Sequence, residues 1–153
     1  MRFLNQLFPA SANNDFKGTK VSLYFFVLFV LLMTWRSGVH FFFQDAGLHV
    51  IGNIKILEGT PDPNVILYRF GNLWGLAQII ICMINWVVIF RYRNLIPLMY
   101  LLWLVEWVTR LFMLQGKELQ EYFIEVAPGN AGTPYVAGIL ILFFLLSLRL
   151  RKS

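Results

Sequence analysis

Four apolar runs, at residues 20–43, 65–90, 95–114 and 134–150, dominate this chain of 153 residues. A helix that crosses a bilayer needs roughly 20 mostly apolar residues, because in hydrocarbon its backbone N–H and C=O groups must be satisfied within the segment. Each run meets that need; the fourth is short but carries no charge before Arg149. Only residues 1–19, two loops and one tight turn lie outside the runs, which leaves no room for a second domain. The expected fold is all-α: an integral membrane four-helix bundle (20–150), preceded by an N-terminal interfacial segment (1–19) and followed by a basic tail (151–153). Composition agrees. Hydrophobic residues make up 58% and charged residues 14% of the chain, against about 45–50% and about 25% in soluble domains.

The segment "MRFLNQLFPASANNDFKGTK" is polar and interrupted by Pro9, and the run after it exceeds the 7–15 or so residues of a signal-peptide core. The first run is therefore expected to stay as a membrane anchor, with "FLNQLF" lying along the interface. The single cysteine, Cys82, excludes an internal disulfide, a cysteine-based metal site and a CxxC redox motif.

Charge gives the orientation. With four spans, Arg2, Lys17, Lys20, Arg91, Arg93, Arg149, Arg151 and Lys152 share one side, whereas the other side has only Lys55 and Lys117 among several carboxylates. Lysine and arginine are retained on the cytoplasmic side, so both termini are expected there. A bacterial inner membrane is the expected location. The net charge of +5 is absorbed by this topology signal and does not point to nucleic acid.

Three arginines remain, Arg36, Arg69 and Arg110, and all lie inside the runs. Converting position to depth at about 1.5 Å per residue puts them with His40, Asn72 and Glu106 in one layer of the outer half. A charge facing lipid at mid-helix costs about 2.5–3.5 kcal/mol, so these groups should face one another. Glu106 and Arg110 are four apart, as are Arg36 and His40, the spacing that stacks side chains on one helix face. In the second run Gly71, Gly75, Gln78, Cys82 and Asn85 follow steps of four and three. They form one small-and-polar stripe of the kind that lets membrane helices approach closely. Phe29, Met33, Arg36 and His40 make a matching stripe on the first run, and Met99, Trp103, Glu106 and Arg110 on the third. The fourth run has only Ser147 among apolar residues and reads as lipid-facing or partner-facing. The tryptophans read mainly as lipid contacts, His49 as solvated, and "APGNAGTP" as a turn ahead of the fourth span.

A layer with more guanidinium than carboxylate suits an anion, a lipid headgroup or a quinone carbonyl, since arginine captures such oxygens bidentately. The expected function is a non-catalytic accessory subunit or binding protein for a small amphiphile, associated with membrane lipid and with other membrane subunits or further copies of itself. A polar network that merely fixes helix order is the alternative without a ligand. The enzymatic alternative acts on a lipid-like or quinone substrate, with Glu106 or His40 as acid or base. No cofactor is required by the sequence, though a quinone or bound lipid fits. His40 and His49 have no carboxylate at metal-binding spacing, so no metal site is expected.

The phrases "RSGVHFFFQDAG", "RFGNLWGLAQ" and "FRYRNLIPLMYLLWLVEWVTRLF" resemble small four-helix bacterial membrane proteins without assigned activity, and the general shape is similar to the DoxX-like group. That resemblance implies an accessory role near quinone-dependent oxidoreductases. It carries over no functional residue.

Overall fold

The computed structural model describes residues 2–113 and 117–149, together with the backbone but not the side-chain placement of Arg2 and Lys117. Leu114, Leu150 and the basic tail at 151–153 lie outside the described residues. Among the described residues the regular elements are helices: α1 (Arg2–Leu7), α2 (Lys20–Phe42), α3 (Asn64–Arg91), α4 (Ile96–Met113), α5 (Lys117–Gln120) and α6 (Pro128–Leu148), with a 3₁₀ turn at Arg93–Leu95. Four of these, counting the 3₁₀ turn with α4, are long and apolar enough to cross a membrane.

Local chemistry sets the helix ends. Thr19 caps α2 by accepting the Ser22 N–H through its side-chain oxygen, which satisfies one donor the first turn leaves free. The fourth helix begins at Pro128, not at 134 as the turn-like "APGNAGTP" implied. Proline at the first helical position costs nothing, because the N–H it lacks would have no partner there. Pro134 lies inside α6 and removes one backbone bond. The turn before it is held by Asn130 N–H to Ala127 O at 2.8 Å and by Thr133 Oγ1, which donates to Gly129 O at 2.7 Å.

The four long helices form a ring in the order α2, α3, α4, α6. The α2–α3 and α4–α6 pairs are the most extensive, and the backbones of α3 and α6 do not approach each other. The core between them is aromatic. Phe26 lies 4.8 Å from Tyr100 between ring centroids, and Phe29 meets Trp103 edge-on at 5.3 Å. Such pairs add about 0.5–1.5 kcal/mol beyond their burial. Three polar side chains of this core are matched: Tyr100 donates to Ser22 O at 2.7 Å, Trp86 Nε1 to Thr34 Oγ1 at 3.0 Å, and Trp103 Nε1 to Asn85 Oδ1 at 3.4 Å. Several tryptophans thus differ from the lipid-contact reading. Trp103 and Trp107 are 2% and 7% exposed, and only Trp35, at 63%, faces fully outward.

All five residues of the α3 stripe, Gly71, Gly75, Gln78, Cys82 and Asn85, are buried. A Cβ on Gly75 would come within 2.6 Å of the Phe41 backbone nitrogen, and one on Gly71 within 2.6 Å of the Ala46 Cβ. These two glycines let α3 lie directly against the end of α2 and the loop that follows. Gly138 on α6, by contrast, has nothing within 4 Å of such a Cβ.

The loops after α2 and α4 meet at one end of the ring. Lys55 N–H donates to Tyr122 O at 2.8 Å, and Ile124 N–H to Asn53 O at 2.8 Å, forming a two-residue antiparallel bridge. At the opposite, basic end the N-terminal segment folds back against α4, α6 and the 3₁₀ turn.

Candidate functional site

The loop-end half of the ring gathers charged and aromatic side chains from α2, α3 and α4. The backbones of α3 and α4 approach each other little, and long side chains span the gap. Arg36 Nη1 donates to Gln78 Oε1 at 3.2 Å, and Gln78 Nε2 donates to Glu106 Oε1 at 3.0 Å. Arg110 Nε donates to the same Glu106 oxygen at 2.7 Å, and its Nη2 also reaches that oxygen. Both partners are mostly enclosed, with side-chain exposures of 18% for Arg110 and 29% for Glu106. Gln78, which the sequence marks only as a helix-packing residue, is thus the link between α2 and α4. A side-chain amide carries an acceptor oxygen and a donor nitrogen side by side, so it can accept from a guanidinium and donate to a carboxylate at once.

Trp74 is the centre of the cluster. The Arg36 guanidinium carbon lies 5.0 Å from its ring centroid, that of Arg110 5.1 Å, and the His40 ring centroid 4.6 Å. Arg110 also lies 5.2 Å from the Trp107 ring. A cation over an indole gains about 0.5–1 kcal/mol when exposed and about 2 when desolvated, so one ring offsets part of the burial of two cations. The sequence carried a signal for this role. Trp74 stands three residues after Gly71 and four before Gln78, on the face of the polar stripe.

Of the six residues expected in the layer, four meet around Trp74: Arg36, His40, Glu106 and Arg110. Asn72 does something else. Its Nδ2 lies 3.0 Å from His40 O, 3.2 Å from Phe41 O and 2.9 Å from Phe43 O, and so satisfies carbonyls that the end of α2 leaves open. Asn72→Ala is expected to cost about 1–2 kcal/mol and to speed amide exchange in the last turn of α2; unfolding and hydrogen exchange in detergent check both. Arg69 stays outside the layer. It is exposed and makes no hydrogen bond or ion pair among the described residues. The depth arithmetic fits, but the azimuth does not, because a residue two before Gly71 points about 200° round the helix. Arg69 shares its face with Leu73 and Leu76, both exposed.

The loop closes over this layer. His40 Nδ1 donates to Ala46 O at 2.7 Å, and Asp45 accepts the Gly47 N–H at 3.0 Å. His49 is held by the structure: its Nδ1 donates to Ile54 O at 2.7 Å and its Nε2 accepts from the Tyr68 hydroxyl.

Three buried polar atoms in the cluster have no hydrogen-bond partner among the described residues: Glu106 Oε2, His40 Nε2 and Trp107 Nε1. The bond to Ala46 O puts the His40 proton on Nδ1, so the Nε2 of the neutral ring is an acceptor. The unmet demand is then for two donors, facing Glu106 and His40, and one acceptor, facing Trp107. Buried polar groups are nearly always paired, and clustered exceptions call for a partner not contributed by the chain. Among the described residues no group of three or more histidine, cysteine or acidic side chains is placed to hold a metal ion.

No family model, curated protein sequence or solved structure matches this chain.

Proposed function

We propose that the cluster around Trp74 binds the polar head of a small amphiphile, a quinol or a hydroxyl-bearing lipid headgroup, and that the protein acts as a non-catalytic membrane subunit. The observation that carries this reading is the set of unpartnered atoms, Glu106 Oε2, His40 Nε2 and Trp107 Nε1, gathered around two arginines and an indole. A head with hydroxyl donors answers the two acceptors, and one with a ring or ester oxygen answers the indole donor. Two guanidinium groups against one carboxylate favour an oxygen-rich or anionic head over a cationic one. The apolar outer faces of α3 and α6, with Leu73, Ile80, Ile141 and Leu145 exposed, support contact with lipid, other subunits or a second copy. The excess of basic residues at the end carrying both termini supports a cytoplasmic location for that end. It is compatible with the bacterial inner membrane and with the accessory role implied by the DoxX-like resemblance.

Native mass spectrometry from mild detergent tests the reading. Wild type is expected to retain one amphiphile per chain, and Trp74→Ala and Arg110→Ala to lose it. Arg69→Ala, which alters an exposed arginine outside the cluster, should retain it. A bare wild-type chain under conditions that preserve bound lipid on other membrane proteins would sink the proposal.

The free carboxylate oxygen and free imidazole nitrogen also favour a second reading, an enzyme acting on a lipid-like or quinone substrate with Glu106 or His40 as acid or base. Turnover by wild type that is lost in Glu106→Gln, with the ligand still bound, selects it.

A further inference from the structure

At the opposite end of the ring the N-terminal segment is built into a wall. Asn94, in the 3₁₀ turn, accepts the Asn13 N–H through Oδ1 at 2.9 Å and donates through Nδ2 to Ser11 O at 2.8 Å. Its own N–H donates to Asn13 O at 3.2 Å, and Thr19 N–H donates to Leu146 O at 3.3 Å. Leu7 is buried beneath, and Gly18 is so close to the Ser147 backbone and the Phe16 ring that no side chain fits there. This fold-back shapes one half-open cavity of about 540 Å³ and a second of about 320 Å³, which share Asp15, Phe16 and Gly18 as a common wall. The larger falls within the usual 300–1,000 Å³ or so of ligand sites.

The charges in these walls are paired by sign with a particular ligand chemistry. Lys20 and Arg93 both line the smaller cavity. Arg93 Nε is committed to Ile89 O at 2.8 Å, and its other guanidinium nitrogens make no bond among the described residues. Asp15 lines both cavities, and its one ion pair among the described residues, with Lys17 of the larger cavity, is long at 3.8 Å and solvent-exposed. Gln6, in the larger cavity, has a buried Nε2 without a partner among the described residues. With Lys17 in the wall of the larger cavity, three cations and one carboxylate line the two cavities, which favours a ligand that carries an anionic group and, beside Asp15, a cationic one as well.

We propose that these linked cavities hold a zwitterionic phosphate–primary ammonium headgroup, with the phosphate against Lys20 and Arg93 and the ammonium against Asp15. Charge-assisted bonds of both signs then form in one site. Asp15 and Asn14 accept hydrogen bonds, so a primary ammonium, which donates them, is preferred to a quaternary one, which does not. Tyr24, at the edge of the smaller cavity, begins an exposed apolar ridge that continues with Leu28 and Leu31 on α2. Acyl chains lie along that ridge, which makes a membrane phospholipid the source of the headgroup. The site is separate from the cluster around Trp74 and does not depend on how that cluster is read.

The test is lipid retention by the full chain in mixed micelles holding equal amounts of phosphatidylethanolamine, phosphatidylcholine and phosphatidylglycerol, read by native mass spectrometry. Wild type is expected to retain phosphatidylethanolamine about tenfold over the other two, the ratio one well-formed ionic contact provides. Lys20→Gln with Arg93→Gln should abolish that retention, and Asp15→Asn should shift it toward phosphatidylglycerol. Arg93 also braces the 3₁₀ turn, so Lys20→Gln alone is the variant to compare at unchanged melting temperature, with a several-fold loss expected. Glycerophosphoethanolamine, the same headgroup without chains, should compete only in large excess. Equal competition would keep the headgroup chemistry and assign it to a soluble ligand. Equal retention of all three lipids, or a wild-type pattern in both Asp15→Asn and Lys20→Gln, overturns the proposal.

Discussion

Glu106→Ala should destabilise the protein by about 3 kcal/mol, toward the lower end of the cost of orphaning one member of a buried ion pair. Three contacts converge on the carboxylate: Gln78 Nε2 at 3.0 Å, Arg110 Nε at 2.7 Å and Arg110 Nη2. Removing it leaves two guanidinium groups sharing Trp74 with no anion between them, in surroundings where each uncompensated charge costs about 2.5–3.5 kcal/mol. The side chains are 18% and 29% exposed, which relieves part of that cost and keeps the expectation below the largest values on record for buried pairs. Equilibrium unfolding in detergent measures it. A cycle with Arg110→Ala separates pair from surroundings, and removing the arginine as well should recover part of the loss. A cost below about 1 kcal/mol, the range of a surface ion pair, would mean that the arginines reach polar headgroups instead.

Gly75→Val should be still more disruptive, costing about 3 kcal/mol or more, at or beyond the upper end of core overpacking. The obstacle is backbone. A Cβ at this position would lie 2.6 Å from Phe41 N and 2.7 Å from His40 C, neither of which can swing aside as a side chain does. Relief requires α2 and α3 to separate along their most extensive contact, and that separation would also pull Asn72 from the carbonyls at the end of α2. Gly138→Val is the matched control, since α6 has open space there, and it should leave stability nearly unchanged. Melting temperatures of the two variants in one detergent make the comparison. Equal shifts would remove close helix approach as the reason for the glycine.

Four long apolar helices were legible directly from the sequence, because in a bilayer the hydrophobic requirement is set by length and composition and needs no partner. Helical period added the burial of Gly71, Gly75, Gln78, Cys82 and Asn85, since residues at steps of three and four share a face. It also aligned Glu106 with Arg110. Tertiary structure decided the rest. Depth along a helix could be counted from the sequence, but azimuth relative to a neighbouring helix could not, so Arg69 fell outside a layer that its height alone would have joined. Gln78 became the bridge between Arg36 and Glu106, and Trp74 the platform for both arginines, only when α2, α3 and α4 were set side by side. The start of α6 at Pro128 and the walls raised by residues 8–18 were likewise hidden. The walls depend on contacts between distant segments, whereas periodicity reports only the angle of a residue about its own helix axis. The start of α6 rests on local bonds among residues whose proline and glycine content reads as a turn.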